Sequence, residues 1–212
     1  SFLFSTDLLV DKIAKGRPGY VIYGSYTVNE IFAKPIQDGK IHILYAGIID
    51  QIKAGAFNAI ESALFLNENY VLHIIGFGEV DILKKRIEEV SPVSACKILF
   101  DGAYYGDDYI RYAQQCHIGL STQKMEGKYL ETSFPSKILS YMGLGLRVVS
   151  GKVDCVEKSK IGNQIYFYEN DFPEEIARAI QKIDVNLPYN SRETIKLLDE
   201  QFINELRTNI LK

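Results

Sequence analysis

The chain has 212 residues, a net charge of -3, and is 47% hydrophobic and 24% charged, with an isoelectric point near 5.7. That length can bury a sizeable core as one domain, or one domain plus a fragment, and the acidic balance argues against a nucleic-acid binder, which carries a basic face. Cys96, Cys116 and Cys155 are odd in number and lack metal-ligand spacing, so reduced cytosolic thiols are expected, and no run approaches the roughly 20 apolar residues of a membrane span.

Residues 1–33 have the pattern of the end of another unit. Phe2–Phe4 suits a strand end and Ser5-Thr6-Asp7 a capping cluster. Leu8–Ala14 suits a short helix stopped by Gly16, Pro18 and Gly19, and Tyr20–Tyr23 a second strand. Two short strands and one helix cannot close a core, so this segment must pack on a neighbour. The chain opens on Ser1 and is expected to be a piece of a longer protein. Residues 34–40, with Pro35 and Gly39, form a polar linker.

From Ile41 the pattern becomes regular. Strands are predicted at 41–47, 70–76, 96–102, 116–122, 146–150 and 165–168. Helices are predicted between them at 52–66, 80–90 and 107–114, after Ser133, and at 174–183. This alternation predicts an α/β domain over 41–185, a Rossmann-like parallel sheet with helices on both faces. Ligands of such sheets bind outside the carboxyl ends of the strands, where Gly47, Gly76, Gly102, Ser121 and Ser150 fall. Residues 186–212 supply a long final helix, from about Asn190 to Leu211, running back towards residues 1–33.

The most informative stretch is SFPSKILSYMGLGLRVVS, 133–150. Ser133 can cap a helix, Pro135 suits its first turn, and Ile138, Tyr141 and Met142 give it an apolar face. Gly143 and Gly145 end it, and Leu146, Val148 and Val149 suit a buried strand. Free amides at the helix start, with the hydroxyls of Ser136 and Ser140 and with Lys137, form an anion site for which phosphate is the natural guest.

Other features fit the same sheet edge, each with a plainer alternative. Lys53, in GIIDQIKAG, meets a phosphate at a helix opening or is a solvated lysine. Gly76 and Gly78 permit close backbone approach or make a plain tight turn. Asp101 to Tyr105 offers backbone atoms and an aromatic face, or packing tyrosines. Glu126 and Tyr129, in the loop QKMEGKYLET, approach a sugar or face solvent, and Glu157 lies in a charged loop after the fifth strand. His42, His73 and His117 each sit in a strand without a second ligand at metal spacing, so they are expected in the core and no metal is expected.

Taken together, SFPSKILSYMGLGLRVVSG, ILYAGIIDQIKAG, VLHIIGFGE, KILFDG and YIRYAQQCHIGLST resemble the donor-nucleotide half of family 4-like glycosyltransferases of the GT-B fold, over residues 41 to about 183. In this family a P-S-K-x-x-E-Y-M-x-x-G pattern is common. The resemblance implies transfer of a sugar from a nucleotide-sugar donor to a saccharide acceptor, lipid-linked or free, without a metal or other cofactor. Lys53 and Lys137 would carry the catalytic charge. Donor contacts would come from Gly47, Gly76, Gly78, Asp101, Glu126, Tyr129, Ser136, Ser140 and Glu157. Residues 1–33 would be the end of the N-terminal acceptor domain, most of which lies outside this chain.

The resemblance has departures. Ile48 stands where the family has an arginine, Ser140 where its ribose-gripping glutamate falls, and Thr132 where its first glutamate falls. Within the family the chain resembles enzymes of bacterial surface polysaccharides, capsule or lipopolysaccharide, including galactofuranosyl transfer. Such a protein is expected in the cytoplasm or at the inner face of the membrane. A nucleotide-sugar epimerase or hydrolase, or a domain with a decayed donor site, are the alternatives.

Overall fold

The computed structural model describes residues 1–126 and 132–209. Strands β1 (Phe2–Phe4) and β2 (Gly19–Val21) pair in parallel as a small separate sheet. They are joined by α1 (Asp7–Leu9), which widens into a π-helical turn over Val10–Ala14. The main sheet contains β3 (Ile41–Ile49), β4 (Tyr70–Gly78), β5 (Lys97–Phe100), β6 (Ile118–Ser121), β7 (Arg147–Gly151) and β8 (Ile165–Tyr168). Every neighbouring pair is parallel and the order is β5-β4-β3-β6-β7-β8. The connecting helices are α2 (Gly55–Ala63), α3 (Val80–Val90), α4 (Gly106–Gln114), α5 (Ser136–Leu144), α6 (Asp154–Glu157), α7 (Pro173–Gln181) and α8 (Ser191–Asn209).

Alternation along β3 divides the core between two faces. Ile43, Tyr45 and Ile49 pack with α2, α3 and α7, whereas Leu44 and Ala46 pack with α4, α5, α6 and α8. A strand buried on both faces is apolar at nearly every position, which is why ILYA and, His73 apart, VLHII stand out as continuous runs. On α5, Ile138, Leu139, Tyr141 and Met142 are almost fully buried. The Tyr141 ring packs where Gly119 of β6 leaves space, since a Cβ there would sit 2.4 Å from it. The Ala46 N–H donates to the Tyr141 hydroxyl (2.9 Å), so this core tyrosine also closes a strand edge.

The strand order reverses between β3 and β6. Those two pair only at Ile43↔Ile118 and Leu44↔Gly119, whereas β3 and β4 stay paired as far as Ile49↔Gly78. Beyond Leu44 the sheet opens on one side of β3. A crevice at the carboxyl ends of the strands is where this topology places ligands.

Local details differ from the sequence reading for physical reasons. Helix α2 starts at Gly55 rather than Ile52, because Ala54 sits in the left-handed region at φ 53 and breaks the helical run before it. The turn before it is closed by the Lys53 N–H donating to Asp50 Oδ1 (2.6 Å), so Lys53 precedes the helix instead of opening it. Helix α5 starts at Ser136 with Pro135 as the capping residue and no side-chain cap, so Ser133 does not cap it. Gly145 ends that helix at φ 93, while Gly143 lies inside it. Both β3 and β4 run past Gly47 and Gly76, and residues 154–157 form a helical turn rather than a loop.

Residues 23–33 cross the open side of α5. A Cβ on Gly143 would lie 2.1 Å from the Thr27 carbonyl oxygen, so only glycine admits this strap. Buried Gln114 accepts the Phe32 and Ala33 N–H groups (2.8 and 3.1 Å) and donates to the Glu30 carbonyl (2.6 Å). Tyr26 meets Phe202 of α8 edge to face at 6.5 Å, which sets the final helix against the N-terminal segment.

Candidate functional site

The crevice is shaped first by backbone. Gly47 and Gly76 are register partners at φ +152 and +151, and a Cβ on Gly76 would lie 1.8 Å from the Gly47 carbonyl oxygen. Side chains are impossible there, so the ends of β3 and β4 present bare peptide to the cleft. A Cβ on Gly78 would likewise meet the Ile49 carbonyl oxygen at 2.3 Å.

Helix α5 points its start into this opening and separates two clefts. The larger, about 420 Å³, is walled by Ala46, Gly47, Gly76 and Phe77, by Tyr104, Tyr105 and Tyr109, and by Ser136, Lys137 and Ser140. The smaller, about 220 Å³, is walled by Tyr45, Ile48, Asp50, Lys53, Ser121 and Gln123, and again by Ser136 and Lys137. The amides of Ser136 and Lys137 have no acceptor within the helix, and the aligned peptides add partial positive charge.

Lys137 lies along Gly47, its Cε and Nζ both 2.6 Å from where a glycine Cβ would be, with Nζ 5.5 Å from the centre of the Tyr45 ring. Burial, and then the Lys53 charge, push its amine below the ordinary lysine range, with Asp50 acting the other way. Asp50 also accepts the Lys53 backbone N–H, so it organises the turn that carries Lys53. Burial raises the Tyr45 hydroxyl, which donates to the Ile48 carbonyl (3.0 Å) and remains neutral. The result is a partly desolvated cation beside a second cation at the positive end of a helix.

Gly47, Gly76, Ser136, Lys137 and Ser140 thus meet in the larger cleft, and Lys53 joins Ser136 and Lys137 in the smaller. Gly78 supports the β3–β4 contact behind them. Other expected donor contacts lie elsewhere. The Asp101 carboxylate accepts the Tyr112 hydroxyl beneath the cleft wall, and lines neither cleft. Glu157, on α6, lies 3.5 Å from Lys152. Glu126 is exposed and lines neither cleft, and Tyr129 lies outside the described residues. Tyr45, Asp50, Tyr109 and Gln123 line the clefts without having been singled out in the sequence. Tyr45 and Tyr109 are hidden within apolar periodicity, and Asp50 is recognisable only as a turn residue. Among the described residues, no group of three or more His, Cys, Asp or Glu is arranged to hold a metal ion, and no helix is long and apolar enough to cross a membrane.

The sequence model of the family described as "Glycosyl transferases group 1" matches residues 40–184. No curated protein matches the chain in sequence. Among solved structures, the apo lipopolysaccharide outer core galactosyltransferase WaaB aligns with a TM-score of 0.66 at 17% identity, over 96% of this chain and 60% of that one. HepE from Anabaena in complex with UDP aligns with a TM-score of 0.66 at 13% identity, over 97% and 63%. The C-terminal domain of a group 1 glycosyl transferase from Francisella tularensis aligns with a TM-score of 0.54 at 19% identity, over 80% and 88%. The chain therefore spans about 60% of the length of the first two and most of the isolated C-terminal domain. At these identities the likeness concerns the fold, which is one half of a GT-B glycosyltransferase. The family match covers more than half of the chain, including the sheet edge and helix that build both clefts, and the chain belongs to the group 1 glycosyl transferases.

Proposed function

We propose that this chain is the donor half of a glycosyltransferase and holds the diphosphate of a nucleotide-sugar across the start of α5. The nucleoside fills the larger cleft, between Phe77 and the tyrosines at 104 and 105, and the sugar reaches towards Ser121 and Gln123 in the smaller one. Ser140 offers the ribose a hydroxyl. The observation that carries this reading is Lys137, a half-buried cation crowded by Lys53 and by the positive helix end. A protein gains nothing from that arrangement unless an anion relieves it.

The chemistry follows from that charge. When the bond from the sugar's anomeric carbon to the diphosphate breaks, the electron pair leaves with the diphosphate. Lys53, Lys137 and the Ser136 and Lys137 amides stabilise the charge as it develops. Groups preorganised in this way ask for no metal ion. The attacking hydroxyl and the base that takes its proton belong to the acceptor side, which we assign to an N-terminal domain ending in residues 1–33, with residues 34–40 as the linker. The likeness to WaaB supports a saccharide acceptor of a bacterial surface polysaccharide, made in the cytoplasm or at the inner membrane face.

UDP, UMP and uridine, compared in a thermal-shift series, test the reading. A shift with UDP, a smaller one with UMP and none with uridine are expected. No shift with any nucleoside diphosphate refutes it in favour of a decayed site. Breakdown of a UDP-sugar by this chain without acceptor refutes it in favour of an epimerase or hydrolase.

A further inference from the structure

A polar chain runs through the sheet beneath the tyrosine wall of the larger cleft. Asp38 Oδ1 lies 3.1 Å from His42 Nε2, and His42 Nδ1 lies 2.8 Å from His73 Nε2. His73 Nδ1 has two neighbours, the Tyr112 hydroxyl at 2.8 Å and Asp101 Oδ2 at 3.2 Å. Tyr112 also reaches Asp101 Oδ2 directly. The Tyr112 ring stacks on Tyr104 with centroids 4.6 Å apart, and Tyr104 lines the cleft. Both histidines are buried.

Counting hydrogens exposes two states of this chain. A neutral imidazole carries one ring hydrogen and accepts at its other nitrogen. If Tyr112 donates to Asp101, three contacts still need a hydrogen from the imidazoles: Asp38 with His42, His42 with His73, and His73 with Asp101. Two neutral rings supply two, so this arrangement needs one added proton. Without that proton all four ring nitrogens are paired only if Tyr112 turns its O–H onto His73 Nδ1, which leaves Asp101 without a donor from either. We propose that the His42–His73 pair takes up one shared proton, and that Tyr112, by changing its acceptor, makes this proton set how firmly the aromatic wall of the larger cleft is held. Tyr112 is thus a positioning residue, acting on the ligand through Tyr104.

The surrounding groups fix the direction. Burial is the largest influence on His73 and keeps it neutral, aided by His42 and by Lys97 of β5, while Asp101 opposes them. Behind His42, His117 accepts the His42 backbone N–H at Nδ1 (3.0 Å). Burial, then His42 and Arg147 of β7, hold His117 below the ordinary imidazole range. Cys116, before β6, is a buried neutral thiol near Asp101. Burial therefore holds His73 on the acid side of the ordinary imidazole value of about 6.5, and directly hydrogen-bonded imidazoles take up a proton as a unit. Its arrival gives Asp101 two donors, Tyr112 O–H and His73 Nδ1–H, and ties the end of β5 to α4 at the base of the 101–106 loop.

The ligand part of this inference rests on the donor-site reading, whereas the proton count does not. Imidazole proton–nitrogen NMR spectra between pH 5 and 8 should show His42 and His73 changing together through one midpoint. Tyr112→Phe keeps the stacked ring but removes the O–H that passes between His73 and Asp101, and should move that midpoint. Asp38→Asn removes an anion and should lower it. In calorimetric titrations, UDP should gain about three- to tenfold in affinity from pH 8 to pH 5.5 in the native chain relative to Tyr112→Phe, the equivalent of one net hydrogen bond. The comparison between chains cancels the titration of the phosphates. Two independent midpoints unmoved by either variant would overturn the shared proton. Equal pH dependence of UDP affinity in both chains would overturn its link to the cleft. If UDP binds neither chain, the donor reading and the link to the cleft both fall, and the imidazole spectra still decide the shared proton.

Discussion

Replacing Lys137 by methionine removes one charge and keeps the stem that packs along Gly47 and Tyr45. The effects on binding and on stability should have opposite signs. A charge-assisted hydrogen bond contributes about 1.5–3 kcal/mol, so UDP should bind roughly ten- to hundredfold more weakly. Stability follows from the depressed amine. In the unfolded chain a lysine titrates near 10.4, and in the fold burial and Lys53 make it release its proton at lower pH. Between those two values the unfolded state binds more protons, so wild-type stability rises with pH there, and below that window the full penalty applies. At pH 7.5 Lys137→Met should therefore melt at or above the wild-type temperature, with the difference shrinking as the pH approaches 10. Calorimetric titration with UDP and melting curves at pH 7.5 and 9.5 measure both. Unchanged UDP affinity, or a variant less stable at pH 7.5, would refute the argument that Lys137 is held for an anion.

Three further outcomes follow from other parts of the molecule. Gly76→Ala must force apart two paired strands, since its Cβ would lie 1.8 Å from a carbonyl oxygen, and should cost more than about 3 kcal/mol. Gly102→Ala, at φ +84 with nothing within 4 Å, should cost about 1–2 kcal/mol of backbone strain alone; urea denaturation of both variants checks the contrast. Gln114→Ala strips partners from Glu30, Phe32 and Ala33, each worth about 1 kcal/mol, so chymotrypsin should cut after Phe32 at least tenfold faster than in wild type while the main sheet resists. Burial pushes the Cys96 and Cys155 thiols up to about 11 and Cys116 higher still, so none should react with a disulfide reagent at pH 8 until the protein is denatured.

The main sheet was legible because a parallel sheet is covered on both faces. That requirement turns 41–47, 70–76 and 146–150 into apolar runs which nothing in the intervening segments imitates. The start of α5 was legible for a similar reason, since Ser136, Lys137 and Ser140 break an otherwise apolar helix on one side. What escaped the sequence depends on contacts between distant residues. Gln114 looks like any polar residue late in an amphipathic helix, yet it satisfies three backbone groups some 80 positions away. Gly143 looks like a helix stop, but it is in fact the gap through which the Thr27 carbonyl approaches. Asp101 falls at a strand end, as a ligand contact would, and only the register of β4 against β5 reveals that His73 and Tyr112 claim its carboxylate.

The departures at Ile48 and Ser140 bear on how the site divides its work. Ile48 is 53% exposed and is the register partner of Phe77, equally exposed, so the end of the β3–β4 ribbon offers an apolar lip where the family resemblance would place an arginine. Charge at the site is thereby concentrated on Lys53, in the turn before α2, and Lys137, in the first turn of α5, which line the smaller cleft together. Losing either should then be felt more than in a site with an arginine at position 48, because among the described residues Lys53 and Lys137 are the cations that line the clefts. The double variant Lys53→Met/Lys137→Met makes the point measurable. If the two lysines act on separate phosphate oxygens, their losses in UDP affinity should add. If they share one oxygen, the double variant should fall short of the sum, because part of each single loss is the same interaction. A double variant that binds UDP as well as the wild type would remove the diphosphate from the start of α5 altogether.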